Sequence, residues 1–401
     1  ALVGKVAGMA GSASWAAFAI ALLVAGLTAI TYAELGGRFP RSSGESFFVE
    51  QAFGRPGLAL VVGWVVLCSG VLSLATVSVA FGGYMHGLAP GVPPSVTVAS
   101  ILILLAAINF RGMRESSTIN IVATMVELTG LLIVIVAGAL FLSDAPDLSI
   151  RETITASSQV SWKAIASGAA LSFFAFIGFE DMVNVAEEVK DPERNMPRAI
   201  LLALVVTGLV YLLVVLIATT VIAPTTLAGA KAPLLAVVQR ATDVVPDRVF
   251  TLIALFAVAN TGLLNFIMGS RLIYGMSRQG LLPSALGTVH PKRRTPHLAI
   301  LTVLVVALAL ALSGTLTYLA GTTSLLLLVV FFAVNLSLVA IKRRERGSLR
   351  TFCAPRLIPI VGALTCLALM PFVPRGSLLT AVVILGLGVG LVLLRARRST
   401  G

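Results

Sequence analysis

The chain has 401 residues, of which 58% are hydrophobic and only 11% charged, and its mean hydropathy is +1.01. A water-soluble domain carries roughly a quarter of its residues as charges, so this composition excludes one and points to a protein that lives in lipid. The net charge of +12 does not argue for nucleic acid, because the basic residues fall in short clusters between apolar segments and not along one amphipathic face.

Ala1 to Met9 is an apolar stretch about half as long as a bilayer crossing, which takes about 20 residues. We read it as the outer half of an incomplete first helix whose beginning precedes the sequence; a short surface segment is the alternative. Eleven full segments follow. They run approximately Ser14–Leu35, Leu58–Leu88, Ser95–Phe110, Ile119–Leu142, Ala164–Ala186, Ala199–Ile222, Val249–Tyr274, Leu298–Leu312, Leu316–Ile341, Leu357–Phe372 and Leu378–Leu394. No Lys, Arg, Asp or Glu occurs between Arg55 and Arg111, a length that only two crossings accommodate. Helices are expected, since lipid obliges the backbone to satisfy its own hydrogen bonds, and the alternation of barrel strands is absent. The three cysteines, Cys68, Cys353 and Cys366, offer no disulfide framework and no zinc spacing. The three histidines, His86, His290 and His297, are scattered, so neither an enzyme nor a metal or cofactor site is expected.

Orientation follows from the basic residues. One alternating set of loops holds Arg38, Arg41 and Arg55, Arg111 and Arg114, Lys190, Arg194 and Arg198, Arg278 and Lys292 to Arg294, Lys342 to Arg356, and the tail Arg395, Arg397 and Arg398. That is about 21 of the 29 basic residues, and it marks the cytoplasmic side, with the C-terminus among them. Lys5, Arg151, Lys163, Lys231, Arg240, Arg248 and Arg375 make up the sparse side. Trp15, Trp64 and Trp162 are expected near span ends as headgroup anchors.

Polar groups at depth and helix breaks locate chemistry in a bilayer. In Ser172-Phe173-Phe174-Ala175-Phe176-Ile177-Gly178-Phe179-Glu180-Asp181 both coincide. Glycine costs about 1 kcal/mol in a helix relative to alanine, and a central acid about 2.5–3.5 kcal/mol on insertion scales. Together they predict an unwound helix with free carbonyls before the break and free N–H groups after it, a cradle for a zwitterion. A glycine-assisted helix crossing with the acids in a water pocket is the plainer alternative. Glu127, about eight residues into an apolar helix, is a candidate proton carrier, or else an acid bonded to a neighbouring helix. Asn260, Thr261 and Asn265 line a cavity or bond between helices. Arg271 snorkels or pairs with an acid. Lys5 belongs to a vestibule or the interface.

The run from Phe173 to Glu180, followed by Glu187-Glu188-Val189-Lys190-Asp191-Pro192-Glu193-Arg194-Asn195-Met196-Pro197, closely resembles the sixth span and following loop of the amino acid–polyamine–organocation (APC) permeases. Three further stretches agree in order. They are Tyr32-Ala33-Glu34-Leu35 with Phe39-Pro40 and Gly44, Arg271 to Met276 with Arg278, Gly280 and Leu282-Pro283, and Thr295-Pro296. The resemblance implies an all-α polytopic LeuT-type fold, two inverted repeats of five helices plus two C-terminal helices. Residues 1–341 would form the transport core, and residues 342–401 a cytoplasmic loop and the last two spans. It also implies substrate contacts from Phe174, Ala175, Phe176, Ile177 and Gly178, with Phe174 as an aromatic gate. Glu127 stands where many proton-coupled members carry a lysine, and Ser69 where cationic carriers carry an acid. The implied activity is transport of amino acids across the plasma membrane by proton symport or exchange, with Glu127 and Glu180 as coupling candidates. Sodium coupling, polyamine or organic-cation transport, and a non-transporting amino acid sensor are the alternatives. The partners implied are a small amino acid, the bilayer and protons, with no nucleic acid and no cofactor.

Overall fold

A computed structural model describes residues 2–40, 44–112, 117–145, 147–344 and 352–399. Ala1, Arg41, Arg114, Arg346 and Arg350, used above, lie outside these residues, as do the side chains of Glu187, Glu188, Arg397 and Arg398. Sixteen α-helices and no strands occur among the described residues. They are α1 (Leu2–Ala10), α2 (Ser14–Arg38), α3 (Gly44–Phe53), α4 (Pro56–Leu88), α5 (Pro94–Arg111), α6 (Ser117–Asp144), α7 (Ile150–Ala156) and α8 (Trp162–Ser172). They continue with α9 (Pro192–Val221), α10 (Pro224–Gly229), α11 (Pro233–Ala241), α12 (Asp247–Arg278), α13 (His297–Ser313), α14 (Leu316–Arg344), α15 (Leu357–Leu369) and α16 (Arg375–Ser399).

Nine stretches among the described residues are long and apolar enough to cross a membrane, α1 and α2 counting as one, and two shorter apolar helices, His297–Ser313 and Leu357–Phe372, complete the set. Every segment expected from the apolar runs therefore has its helix. The differences lie between spans. Helices α3, α7, α10 and α11 were not expected, and α8 stops at Ser172 where the apolar run suggested a span to Ala186. Gly11, at φ +52°, ends α1, and a 3-10 turn over Gly11–Ala13 leads into α2.

The chain forms two compact units whose boundaries fall inside α4, α9 and α14, at the start of α2 and just before α8. One comprises Ala1–Ser14, Leu67–Ser161 and Leu213–Thr323; the other comprises Trp15–Val66, Trp162–Leu212 and Ser324–Gly401. In the first, α12 packs on α5, α6 and α13, and α1 lies along α10. Polar side chains tie these helices together as lipid-embedded packing requires. Asn109 Nδ2 donates to Ser270 Oγ at 3.1 Å, Asn265 Nδ2 to Ser73 Oγ at 2.9 Å, and Asn260 Nδ2 to Glu127 Oε1 at 2.9 Å. Asn260 and Asn265 are thus used for interhelical bonds, whereas the exposed Thr261 bonds its own helix at Ala257. Arg271 and Lys5 are exposed.

The second unit is held by two polar hubs. Asn335 of α14 accepts from Thr31 Oγ1 at 2.7 Å and donates to Thr28 Oγ1 at 3.0 Å. Gly362 of α15 lies so near that a Cβ there would come within 2.7 Å of Asn335 Oδ1. Nearer the Lys/Arg-rich end, Glu34 of α2 is fully buried. It pairs with Lys342 Nζ of α14 at 2.7 Å and with Arg38 one turn on. Its Oε2 also accepts the backbone N–H of Ala354 at 2.8 Å, and Lys342 donates to the Ala354 carbonyl. The segment entering α15 is thereby fastened to α2 and α14. Glu34→Ala leaves the buried Lys342 without its counter-charge, which costs about 3–5 kcal/mol; a large drop in the unfolding midpoint in detergent is expected, and an unchanged midpoint would show the pair to be dispensable. Trp64, expected at the headgroups, is instead used in packing: its Nε1 donates to the Ile384 carbonyl at 2.9 Å, and Gly388 of α16 lies against its ring.

The candidate substrate site at an interrupted helix

Helix α8 gives way at Ser172 to a 3-10 turn over Phe173–Phe176. Ile177 is then extended, at φ −70° and ψ 138°, and Gly178 takes φ +126°, a region that only glycine enters without strain. A second 3-10 segment, Glu180–Glu188, resumes the chain. The interruption falls where the aromatic-glycine-acid run placed it.

Its hydrogen bonding differs from the expectation in one respect. Among the described residues no backbone N–H reaches the carbonyls of Ala175, Phe176 or Ile177. These three successive acceptors are the free carbonyls anticipated before the break. The N–H of Gly178, by contrast, is not free, since it donates to Glu180 Oε2 at 2.8 Å. Glu180, buried, acts as a cap on the break. The N–H of Phe179 reaches no backbone carbonyl among the described residues, so the gap presents acceptors before the glycine and a donor after it, with the Glu180 carboxyl at its centre.

The five residues named from the sequence divide by environment. Phe176 is buried against Phe18 and Tyr211, with ring centroids 6.2 and 5.7 Å away. Phe173 packs on Phe331 at 5.6 Å. Those two rings anchor the turn. Phe174, Ala175 and Ile177 are only half-buried and Gly178 is exposed, so this side of the turn is the one open to a ligand. Nothing within 4 Å would meet a Cβ on Gly178. Of the coupling candidates, Glu180 is at the gap in the second unit, and Glu127 is held by Asn260 on α12 in the first.

Sequence reasoning missed Glu45. It belongs to α3, whose buried face is Gly44, Glu45, Phe48, Val49 and Ala52. Glu45 is buried, and its Oε1 accepts the Tyr32 hydroxyl at 3.2 Å. Tyr32 is in turn stacked edge-on to Phe48, Phe179 and Phe331, so an aromatic cluster joins this acid to the interruption. Burial pushes the Glu45 carboxyl up to about 7, with the charge of Asp181 adding to the effect. The only signal in the sequence is the Phe-Phe-Val run after Glu45, which reads equally well as a surface turn.

A multi-pass all-α chain with a glycine-centred gap inside one span has the architecture of a secondary transporter. Comparison with known proteins agrees. The family model described as amino acid permease matches residues 1–394, and the chain belongs to that family, within the APC permeases. It is 26% identical to the branched-chain amino acid permease BcaP of Bacillus subtilis over 391 residues, covering 92% of this chain and 82% of the relative. It is 33% identical to an uncharacterized transporter of Mycobacterium tuberculosis over 383 residues, covering 95% and 83%. The low-affinity putrescine importer PlaP of Escherichia coli is 27% identical over 404 residues, covering 96% and 86%. The protein is a membrane transporter, all-α and multi-pass among its described residues.

Proposed function

We propose that this transporter carries amino acids across the plasma membrane by alternating access, with its C-terminus in the cytoplasm. Residues 1–341 form the moving core and residues 342–401 the loop and the two flanking helices. The observation that carries the reading is the row of carbonyls at Ala175, Phe176 and Ile177 that no backbone N–H of the described residues reaches, beside the exposed Gly178. They receive the substrate ammonium, and the half-buried Phe174 closes over it. Coupling is by proton symport or by exchange. Glu180 caps the break, and Phe179 and Tyr32 join it to the buried Glu45, so two carboxyls stand at or near the gap to take part in coupling.

Glu127 is the competing proton carrier, and one substitution separates the two. Glu127→Gln retains an oxygen that accepts from Asn260, so the helix contact survives while the titration is lost. Proteoliposome uptake of leucine driven by an inward proton gradient should persist in this variant. Loss of gradient-driven accumulation with intact exchange would move the coupling role to Glu127. Absence of both uptake and exchange for every amino acid tested, in a folded protein, would overturn the transport reading itself in favour of a sensor.

One observation favours a second substrate class. The carboxyl of Glu180 stands at the gap, bonded to the Gly178 N–H, and an acid there fits the ammonium of a polyamine. Competition of putrescine against leucine uptake decides between them.

A further inference from the structure

At the end of the molecule poor in Lys and Arg, the first unit carries an open pocket of about 420 Å³ that belongs to no part of the interrupted helix. Its walls are the last turn of α4, the α10–α11 linker, one face of α11 and the first turn of α12. This is within the range of small-molecule sites. Its charges are unbalanced. Lys231 and Arg248 both line it, and among the described residues neither forms an ion pair. Asp247, the one acid in the lining, accepts from Gln239 Nε2 at 2.7 Å.

Lys231 is also held in place. The linker carbonyl of Lys231 lies so close to α4 that a Cβ on Gly83 would come within 2.8 Å of it. Its Nζ is 3.0 Å from His86 Nε2. A lysine ammonium can only donate, so Nε2 is the acceptor and the His86 proton resides on Nδ1, which is buried with no partner. A lysine whose backbone is packed against α4 and whose ammonium is hydrogen-bonded to His86 loses less freedom on meeting a ligand, which is what a recognition group requires. Membrane orientation does not account for these cations either, since the loops concerned are the ones from which Lys and Arg are otherwise scarce.

We propose that this pocket is a second binding site, for the carboxylate of a small solute. Lys231 and Arg248 take the carboxylate, Asp247 faces an amino group where the solute has one, and Leu88 and Leu235 cover its apolar part. A bound solute fastens the α10–α11 linker to α4 and α12. That an amino acid is the natural occupant rests on the transport reading above; carboxylate recognition does not.

The test is protection of Lys231 from a water-soluble acylating ester, read by mass spectrometry on the purified full chain in detergent, with the exposed Lys163 as internal reference. Leucine and 4-methylpentanoate, which lacks the amine, are expected to slow modification of Lys231 alone, and isoamylamine, which lacks the carboxylate, is not. Arg248→Gln should raise the half-protecting concentration by roughly tenfold, the loss of one charge-assisted hydrogen bond. Failure of both carboxylates to protect Lys231 would overturn the site, as would equal protection in the Arg248→Gln protein. Protection by leucine but not by 4-methylpentanoate would assign the effect to closure around the helix interruption and also overturn it. Protection by inorganic phosphate alone would overturn the carboxylate assignment. Uptake plays no part in the readout, so failure of the transport reading and failure of this site are distinguishable.

Discussion

A Gly178→Ala protein is expected to insert and fold yet to lose amino acid uptake by about tenfold or more, because an L-residue held at a left-handed φ is strained by about 1–3 kcal/mol. The side chain itself has room, since nothing within 4 Å would meet the new Cβ. The effect is therefore conformational and not steric. With φ at +126° disfavoured, the segment relaxes toward helix, and a continuing helix recruits the carbonyls of Ala175, Phe176 and Ile177 into its own bonds. The three acceptors that define the gap then disappear. Two measurements check this. Initial uptake rates in proteoliposomes should collapse, while the thermal midpoint in detergent changes little or rises. Full uptake by Gly178→Ala would mean that the open carbonyls are not what holds the substrate. A Gly275→Ala control, at a helical glycine also in open space, should leave uptake unaltered.

Glu45→Gln is expected to flatten the pH dependence of both stability and transport. In the folded protein the Glu45 carboxyl titrates at about 7, and in the unfolded chain at about 4.3. Between those values the folded state holds a proton that the unfolded state has released, so stability falls as pH rises from about 4.5 to about 7 and is level outside that window. Burial of the carboxyl is the main cause, and the groups that face it are the Tyr32 hydroxyl from α2 and Asp181 and Glu180 from the 3-10 segment after the break. The swing is of the order of 3–4 kcal/mol across the window. In the Glu45→Gln protein the amide oxygen still accepts from Tyr32, and the swing should vanish. Gradient-driven accumulation should be lost with it, while one-for-one exchange survives because the amide imitates the protonated acid. A midpoint that keeps its full pH dependence after this substitution would remove Glu45 from the coupling scheme and leave Glu180 or Glu127 to carry it.

Much of this architecture was legible in advance for a simple reason: lipid forces long apolar runs, and a run such as residues 56–110 admits no other fate. The interruption was legible too, because glycine among aromatics with two acids following is a combination that an intact lipid-facing helix does not tolerate. What escaped was non-local. Glu34 could be read only as part of a motif, since its partner Lys342 is more than 300 positions away and no spacing rule connects them. Glu45 follows a proline and a short polar stretch, and nothing local reveals that the face carrying it turns inward. The capping of Gly178 by Glu180 was likewise hidden: the acid was foreseen, but which backbone group it would satisfy depends on dihedral angles that the residues alone do not specify. Helices α10 and α11 are too short and too mixed in character to stand out from a loop.

Those short helices carry one more implication. Gly4 and Gly8, one turn apart on α1, bring it against α10 so tightly that a Cβ on Gly4 would strike the Leu227 carbonyl at 2.5 Å and one on Gly8 would meet Ala228 at 3.0 Å. Two surfaces this close, with no side chain to act as a spacer, cannot slide past each other. Any tilt of α1 is therefore handed on to α10, so the two short helices shift as one.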